Sequence, residues 1–429
     1  MLSVSDPEKT RSDFVRSLDH AEANFWLYDH VSSMNFACMA LGVGDLNAEN
    51  IRSGLDSVQA RHPLARVGIE RKYGVDPHLC FVSTPESKIP LSVQSISPDW
   101  KTRLAKESMR GFRSGEAPLI RAIFYESDEK RNWVFALVFH HSISDGRSGC
   151  RFLSEVLQAA VSKEKSGNCS QDHHPSLMDL YSAEGRAKER MLEEKPVCLP
   201  RFSRRLGEPE PKILDFRLDS EEIRALVSKG REKGISLHGI LGAAQIYSFY
   251  DFFPSDISGI LNLSTPADLR PYLSRSVPDS ALGLYITLLT TQLKIGTPFW
   301  SLAKRIKEDL VDRLSRKEGR AFYELLPPPE QFLQREDGLR IFASLMSRIP
   351  QTSVLSNLGV LPPAEIRGLD LKEISFTVHP SLNQTLFITA TTFRDRLTLN
   401  INYDSNRWEP EEIRRYVSNF HRCLLKYSY

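Results

Sequence analysis

The stretch VFALVFHHSISDGRSG, residues 134–149, constrains the fold more than any other part of the sequence. The apolar run from Val134 to Phe139 has the composition of a buried strand, and it ends at the adjacent pair His140 and His141. After the pair come a short polar segment, an aspartate and a glycine, and then apolar residues at helical spacing. The sequence therefore predicts a strand, a tight turn and a helix, with two imidazoles at the end of the strand.

Histidines at the end of a buried strand suit general-base chemistry, because a rigid scaffold can hold an imidazole there at fixed geometry. Side chains alternate along a strand, so His140 and His141 are expected to point to opposite faces, and one of them to be structural. Asp145 can fold back on the turn or bind an arginine, while Gly146 permits backbone dihedral angles that are closed to other residues. The pattern indicates a turn built for chemistry.

Residues 140–146, HHSISDG, match the HHxxxDG signature. The chain resembles the superfamily of chloramphenicol acetyltransferase-like folds, which includes nonribosomal peptide condensation domains, plant-type BAHD acyltransferases, alcohol acetyltransferases and polyketide-associated acyltransferases. No DFGWG segment of the BAHD type occurs, which disfavours that branch. Shorter matches to the polyketide-associated branch follow in the expected order: LDHAE at residues 18–22, RHPL at 61–64, DLRP at 268–271 and SNLG at 356–359.

The resemblance implies an α/β fold with α+β layering, made of two subdomains. Each is expected to be a mixed β-sheet covered by helices, with the active-site tunnel between the two. We predict an N-terminal acyltransferase subdomain over residues 1–165, a linker or crossover over 166–211, where charges and prolines accumulate, and a C-terminal acyltransferase subdomain over 212–429. Near the C-terminus, three predicted strands complete a sheet, at residues 374–378, 385–392 and 397–403.

The resemblance assigns His141 as the general base, which takes a proton from a hydroxyl or amine as that group attacks an acyl thioester. Asp145 is the second catalytic residue of the motif. In the resembled family it pairs with an arginine across the two halves, so we pair it with Arg270, as a structural clamp rather than a proton relay. No cysteine or serine lies in an activating context, so a covalent enzyme intermediate is not required.

Four further residues are assigned to the site. His140 and Gly146 are expected to support it structurally. Ser144 and Asn357 are candidates for contact with the substrate or a developing oxyanion, although a turn formed by Asn357 with its own backbone explains that residue equally well. The six cysteines lack C-x-x-C spacing, so no metal site and no disulfide framework are predicted.

These assignments predict an O-acyltransferase that transfers an acyl group from acyl-CoA or an acyl carrier protein to a small-molecule hydroxyl or amine acceptor, in natural-product ester formation. No bound cofactor is expected, since acyl-CoA or a phosphopantetheinyl thioester is a co-substrate. One alternative is a condensation-type partner of an assembly line that makes an amide or ester from a carrier-bound donor only. The other is a non-catalytic binding relative, which the intact motif disfavours.

The overall charge and hydropathy exclude other classes. A formal net charge of +2, from 56 basic and 54 acidic side chains, gives no long-range field suited to nucleic acid. No secretory signal and no transmembrane stretch are evident, so a cytoplasmic protein is expected, and the family resemblance favours a monomer. A basic cluster, Arg201, Arg204 and Arg205, could meet a phosphopantetheine carrier or a nucleotide phosphate, although a solvated charge run is commoner.

Overall fold

The computed structural model describes residues 14–113, 115–127, 131–162, 174–181, 194–199, 208–324, 326–362, 366 and 368–428. Most of the predicted linker, residues 166–211, lies outside these ranges, and so does the basic cluster Arg201, Arg204 and Arg205. The described residues form three β-sheets with helices packed on them, which confirms the predicted α/β class.

The strands are β1 (Phe14–Ser17), β2 (Phe36–Gly44), β3 (Val67–Lys72), β4 (His78–Ser83), β5 (Leu91–Ser95), β6 (Ile120–Glu126), β7 (Asn132–Phe139), β8 (Pro211–Leu218), β9 (Ile260–Asp268), β10 (Ile286–Lys294), β11 (Thr352–Val360), β12 (Leu369–Val378), β13 (Gln384–Phe393) and β14 (Arg396–Asp404). The α-helices are α1 (His20–Asp29), α2 (Ala48–Arg61), α3 (Trp100–Met109), α4 (Gly146–Val161), α5 (Leu177–Leu180), α6 (Ser220–Glu232), α7 (Leu237–Tyr247), α8 (Phe299–Ser315), α9 (Ala321–Glu324), α10 (Pro329–Leu333), α11 (Gly338–Met346) and α12 (Pro410–Lys426).

The strand that leads into the motif is central in its sheet. The strand order is β12-β2-β7-β6-β5, and β7 pairs antiparallel with β2 and β6, so Phe139 lies opposite both Phe36 and Ile120. Odd-numbered apolar residues of β7 join one hydrophobic cluster and even-numbered ones join another. This burial on both faces explains the unbroken apolar run, and it fixes the point at which the turn begins.

The second large sheet has the order β10-β9-β11-β13-β14-β8, and the third is a small sheet of β1, β4 and β3. Helices α6, α7, α8 and α12 cover one face of the second sheet and share a core with it. The two large sheets with their helices form the predicted pair of subdomains. None of the described helices is both long enough and apolar enough to cross a membrane.

The predicted grouping of the last three strands is wrong for the first of them. β12 leaves the C-terminal sheet and pairs antiparallel with β2, so that Ile374 and Phe376 join the N-terminal core. Side chains of the C-terminal sheet still reach its backbone, because Thr389 Oγ1 and Asn400 Nδ2 donate to the Phe376 carbonyl at 2.5 and 3.0 Å. β12 is buried between the two sheets, and a strand of either sheet would have the same apolar pattern. The periodicity of the sequence therefore cannot show which sheet the strand belongs to.

Helix α4, which follows the turn, lies close against α2. A Cβ atom on Gly54 would lie 2.6 Å from the Val156 carbonyl oxygen and 2.9 Å from the Ala160 nitrogen. The two helices therefore meet backbone to backbone, and this contact holds α4 in place behind the turn.

Replacing this glycine tests how tightly α4 is held. In Gly54→Ala the added methyl group would meet backbone atoms that cannot rotate away, so we expect a loss of about 1–3 kcal/mol in the free energy of unfolding. This steric cost should exceed the gain in the free energy of unfolding, up to about 1 kcal/mol, that the better helix propensity of alanine provides. Urea denaturation measures it. Ser53→Ala, at an exposed position of the same helix, should change stability by no more than about 0.5 kcal/mol. A Gly54→Ala variant as stable as this control would contradict the close contact.

Candidate active site

The motif turn is buried throughout residues 140–145 and joins β7 to α4. Asp145 is the N-cap of α4, and its side chain accepts a hydrogen bond from the Ser148 N–H at 3.0 Å. The Asp145 N–H in turn donates to the Ser148 hydroxyl at 3.2 Å, which completes a capping box. The predicted strand, turn and helix are present, and the cap fixes where the helix begins.

His140 lies under the turn and holds its backbone. The Ser142 N–H donates to His140 Nδ1 at 3.1 Å, so in the neutral ring the proton belongs on Nε2, which lies 3.7 Å from Asp29 Oδ2. Asp29 is itself fixed, since its carboxylate accepts from the Phe112 N–H at 2.8 Å. Burial lowers the pKa of His140 to about 4, and the nearby Asp29 charge opposes this only in part. These contacts fix the backbone of the turn, and the role of His140 in supporting catalysis stays a prediction.

His141 is packed between aromatic rings. Its imidazole stacks on Phe25 with ring centroids 4.2 Å apart and planes 18° from parallel, and Phe36 lies 4.9 Å away on centroids. Burial lowers the pKa of His141 to about 4, although the Asp145 charge and the carbonyl groups of His141 and Ser144 act in the opposite direction. At neutral pH the ring is therefore uncharged and keeps a lone pair that can accept a proton.

Helix α1 covers the turn and brings Phe25 to His141. The Ser142 hydroxyl donates to the Glu22 carbonyl at 2.7 Å, which ties the turn to the first part of this helix. The Glu22 carboxylate is bound by Arg16 at 2.7 Å. Burial, assisted by a neighbouring carboxylate, raises the pKa of Glu22 to about 7 despite that arginine. The helix is thus anchored at the residue that contacts the turn.

The Asp145 carboxylate joins the two halves of the chain. The predicted ion pair is present, with Arg270 Nη2 2.9 Å from Asp145 Oδ2. The same oxygen accepts from the Tyr285 N–H at 2.9 Å. The Gly283 carbonyl accepts from the Asp145 N–H at 3.0 Å and from the Ser148 hydroxyl at 2.9 Å. Asp145 is fully buried, and its carboxylate oxygens are bonded to Ser148, Arg270 and Tyr285.

Arg270 is held as firmly as its partner. Its guanidinium lies over the Tyr285 ring at 4.8 Å and also binds Asp268 Oδ1 at 3.0 Å. Burial works against the charge, but the Asp145 and Asp268 carboxylates outweigh it, and the pKa of Arg270 is raised. The planar fork of an arginine suits this double contact.

The reason expected for Gly146 is wrong. Gly146 is the first residue of α4, and its φ angle is not positive, so no dihedral closed to other residues is used. What the position lacks is space: a Cβ atom would lie 3.3 Å from Phe376 and 3.4 Å from Leu358. The tighter position is Gly149, where a Cβ would be 2.9 Å from Cys38 Sγ.

The two oxyanion candidates both have partners of their own. The Ser144 hydroxyl is buried and donates to the Asp145 carbonyl at 3.1 Å. The Asn357 Oδ1 atom accepts from the Gly359 N–H at 2.8 Å, and Gly359 has a φ of +72°. The turn alternative for Asn357 is therefore present in the structure. Its neighbour Leu358 approaches Gly146, so this end of β11 does come to the motif.

The cysteines of the described residues are free thiols. Cys38 and Cys150 are in contact beneath α4, with their sulfurs 3.5 Å apart, and burial raises the pKa of the Cys38 thiol. Both side chains are buried, which keeps them unreactive. Within the described ranges, no group of three or more histidine, cysteine or acidic side chains is arranged to hold a metal ion.

A cavity of about 1340 Å³ is lined by residues of both halves and does not include the motif turn. Its described lining combines Tyr28 and Met34 of the N-terminal half with β9, β10, α8 and the α11 end of the C-terminal half; His141 does not belong to that lining. Phe25 contacts a residue of each, since its ring centroid is 6.2 Å from that of Tyr28 in the lining and 4.2 Å from that of His141.

Several residues that build the site carry no motif. Phe25 lies in α1, and its contact with His141 depends on how α1 docks on the turn. Gly283 and Tyr285 act through backbone groups, which leave no side-chain pattern. One signal was available: Asp19 and Glu22 have capping-box spacing, and the structure contains that box at the start of α1.

The chain is related to several known proteins. A family model described as "Phthiocerol/phthiodiolone dimycocerosyl transferase C-terminus" matches residues 207–402. Surfactin synthase subunit 2 of Bacillus subtilis (strain 168) is 27% identical over 302 residues, which are 67% of this chain and 8% of that protein. Polyketide synthase associated protein 5 from Mycobacterium tuberculosis is similar in structure, with a TM-score of 0.69, 16% identity and coverage of 97% of this chain and 98% of that one. For TRI3 trichothecene 15-O-acetyltransferase from Fusarium sporotrichioides the TM-score is 0.71, the identity 15% and the coverage 96% and 94%.

The chain is similar in sequence to an acyltransferase family model over residues 207–402, and it shares its fold with solved acyltransferases and condensation domains. The family resemblance and the two-subdomain fold predicted from the sequence are thereby confirmed. The segment that matches the family model contains both DLRP and SNLG, the second-half landmarks of the polyketide-associated branch. It lies C-terminal to the HHxxxDG turn, so the catalytic roles of the turn residues stay predictions. The chain spans less than a tenth of the length of the synthetase subunit that it matches.

The clamp is tested by breaking it from each side. Arg270→Ala leaves the buried Asp145 charge without its partner, so we expect it to lower the free energy of unfolding by about 3–5 kcal/mol. Asp145→Asn leaves Arg270 with Asp268 as its one remaining acidic partner among the described contacts, so we expect a smaller loss that still exceeds about 1 kcal/mol. The double variant should lose less than the two losses added together, because both changes break the same pair. Urea denaturation of the three variants gives these values.

Arg147→Ala is the matched control. Arg147 also contacts Asp268, but its side chain is 49% exposed, so its loss should cost less than about 1 kcal/mol. Single losses no larger than this control, or losses that add in the double variant, would contradict a clamp between the halves.

Proposed function

We propose that this protein is an acyltransferase that moves an acyl group from a thioester donor to a hydroxyl or amine acceptor, with His141 as the general base. The acceptor proton passes to His141 while the acceptor oxygen or nitrogen bonds to the thioester carbonyl carbon. Collapse of the tetrahedral intermediate breaks the carbon–sulfur bond, and His141 returns the proton to the leaving sulfur. No covalent enzyme intermediate forms.

The observation that carries this proposal is the state of the His141 ring. A histidine whose pKa lies near 4 is neutral under cellular conditions, and stacking on Phe25 keeps its plane fixed. A general base must be unprotonated and positioned before the substrate arrives. His141 fulfils both conditions in its buried position.

The low pKa has a cost, because a weak base removes a proton less readily. General-base catalysis supplies about 10²- to 10⁴-fold in rate, and positioning of the two substrates must supply much of the rest. The buried Asp145 charge favours the imidazolium ion and so assists His141 in the transition state. Ser144 and Asn357 remain our candidates for binding the oxyanion.

The acceptor is proposed to be a small molecule and the product an ester of a natural product, in keeping with the O-acetyltransferase and polyketide-associated proteins that share the fold. A single chain supplies His141, Asp145 and Arg270, which supports action as a monomer. The second candidate is a condensation-type activity that uses only a carrier-bound donor, and the similarity to the surfactin synthase subunit favours it.

Substitution of His141 tests the proposal directly. Purified protein would be incubated with a panel of acyl-CoAs and simple alcohols and amines, and products would be followed by mass spectrometry. We expect His141→Ala to lower turnover by at least about 10²-fold, because the proton acceptor is gone. Circular dichroism should show an intact fold.

The matched control is His78→Ala, since His78 is the first residue of β4, outside the motif turn, and its ring is hydrogen-bonded to the Asp76 carbonyl. It should retain full turnover. Near-normal turnover of His141→Ala would remove the histidine from the mechanism. Transfer from a carrier-bound donor, but not from acyl-CoA, would select the condensation-type activity.

A further inference from the structure

Helix α1 contacts three consecutive residues of the motif turn. The Glu22 carbonyl accepts from the Ser142 hydroxyl at 2.7 Å, and one turn later the Phe25 ring stacks on His141. The last residue of the helix, Asp29, lies 3.7 Å from the other motif histidine. Spacings of three and four residues place Glu22, Phe25 and Asp29 on one face of the helix. The register of α1 therefore determines which side chain contacts which imidazole.

The first turn of α1 is held by a capping box with a buried glutamate. The Asp19 N–H donates to Glu22 Oε2 at 2.9 Å, and the Glu22 N–H donates to Asp19 Oδ1 at 2.8 Å. Arg16 of β1 binds both carboxylate oxygens of Glu22 at 2.7 Å, and its guanidinium lies over the Phe81 ring of β4. Glu22 thus ties α1 to the small sheet through its carboxylate and to the turn through its carbonyl.

Helix α6 begins with a capping box of the same kind. There the Asp219 N–H donates to Glu222 Oε2 at 2.9 Å, and Glu222 is partly exposed. Helix α6 packs in the core of the C-terminal sheet. The two boxes therefore share the cap and differ in the burial of the glutamate and in the contact with the motif turn.

The charge of Glu22 depends on the groups that face it in the described structure. These are Arg16 from β1, Asp19 from its own helix and Tyr285, which precedes β10. Burial, assisted by the Asp19 charge, raises the pKa of Glu22 to about 7, and Arg16 opposes this only in part. Protonation of Glu22 as the pH falls through 7 keeps the capping box but removes the anionic partner of Arg16. The pair weakens in a pH range where His141, with a pKa near 4, stays uncharged.

We propose that Glu22 is a positioning residue for the acyl transfer, and that its ion pair with Arg16 holds α1 in the register that keeps Phe25 stacked on His141. The pair fixes the start of the helix, and Phe25 follows one turn later on the same face. When the negative charge is lost, the helix start shifts and the stack loosens, while the imidazole remains buried. This inference rests on the proposed function and adds a group outside the motif that positions its base.

Nuclear magnetic resonance follows the stack without any need for turnover, because the ring current of Phe25 displaces the carbon-bound proton signals of His141. In the unchanged protein these signals should shift with a midpoint near pH 7, as Glu22 titrates, while the ring nitrogens show no protonation. In Glu22→Gln this step should be absent, because glutamine completes the capping box but carries no charge. In Arg16→Gln the step should move to higher pH, since the cation that favours the charged carboxyl is gone.

Turnover gives a second readout, with the acyl-CoA and alcohol of the panel that react fastest. At about pH 8, Glu22→Gln should lower kcat about tenfold and leave KM unchanged, because a slightly displaced base loses rate rather than affinity. In the unchanged protein kcat should fall as the pH falls through 7, where Glu22 becomes protonated. This fall should be absent in Glu22→Gln, whose kcat is already low.

The matched control is Glu222→Gln, which removes the same charge from the same kind of capping box on α6. It should leave kcat and the His141 signals as they are in the unchanged protein. Equal losses of kcat in the two glutamine variants would show a general effect of helix capping and overturn the inference. A Glu22→Gln variant with normal kcat, or one whose His141 protons keep their step near pH 7, would overturn it as well.

If Glu22→Gln does not fold, Arg16→Gln decides the question, because the Arg16 side chain is 22% exposed and its loss disturbs the core less. A step that stays near pH 7 in that variant contradicts the inference. Near-normal turnover of His141→Ala would remove the proposed function, yet the proton signals would still show whether Glu22 positions the ring. Loss of turnover in His141→Ala with normal kcat in Glu22→Gln is the reverse case, so the two proposals fail separately.

Discussion

The buried carboxylate of Asp145 is the group on which the rest of the site depends. It accepts from Ser148 in its own helix and from Arg270 and Tyr285 in the other half of the chain. A carboxylate removed from water is stable only when its oxygens are paired in this way. The start of α4, the shape of the turn and the contact between the halves must therefore form together. The β12 crossover reinforces the same contact, since Phe376 lies against the first residue of α4.

The hydrogen bonds and ion pair of the Asp145 carboxylate determine the environment of His141. Within the described structure the Asp145 oxygens bind donors other than the imidazole, so His141 lies among aromatic rings with the carboxylate near but not bonded to it. Burial then dominates its pKa and keeps the ring neutral. His140 takes the structural role through Ser142 and Asp29. One pair of adjacent histidines thus has two environments and two different tasks.

The turn and the Asp145–Arg270 pair are predictable from the sequence, because both are carried by residue types at fixed positions in a motif. The sheet to which β12 belongs is not predictable from the sequence, because a strand buried between two sheets has an apolar pattern that fits either sheet. The reason for a glycine at position 146 is also not predictable, because it is the lack of space for a side chain, and the residues that fill that space are distant in the chain. The contact of Phe25 with His141 depends on how α1 docks on the turn, and Tyr285 binds Asp145 through its backbone N–H. Neither contact leaves a pattern of side chains in the sequence.

The protonation state of His141 tests the proposed mechanism most directly. Nuclear magnetic resonance of ¹⁵N-histidine-labelled protein, with the His141 signals assigned by comparison with His141→Ala, follows the imidazole as pH is lowered. Because burial lowers its pKa to about 4, the ring should remain neutral at pH 5.5, where a solvent-exposed histidine with a pKa of about 6.5 is mostly charged. A His141 ring that titrates near 6.5 would contradict the buried, neutral base on which the proposed mechanism rests.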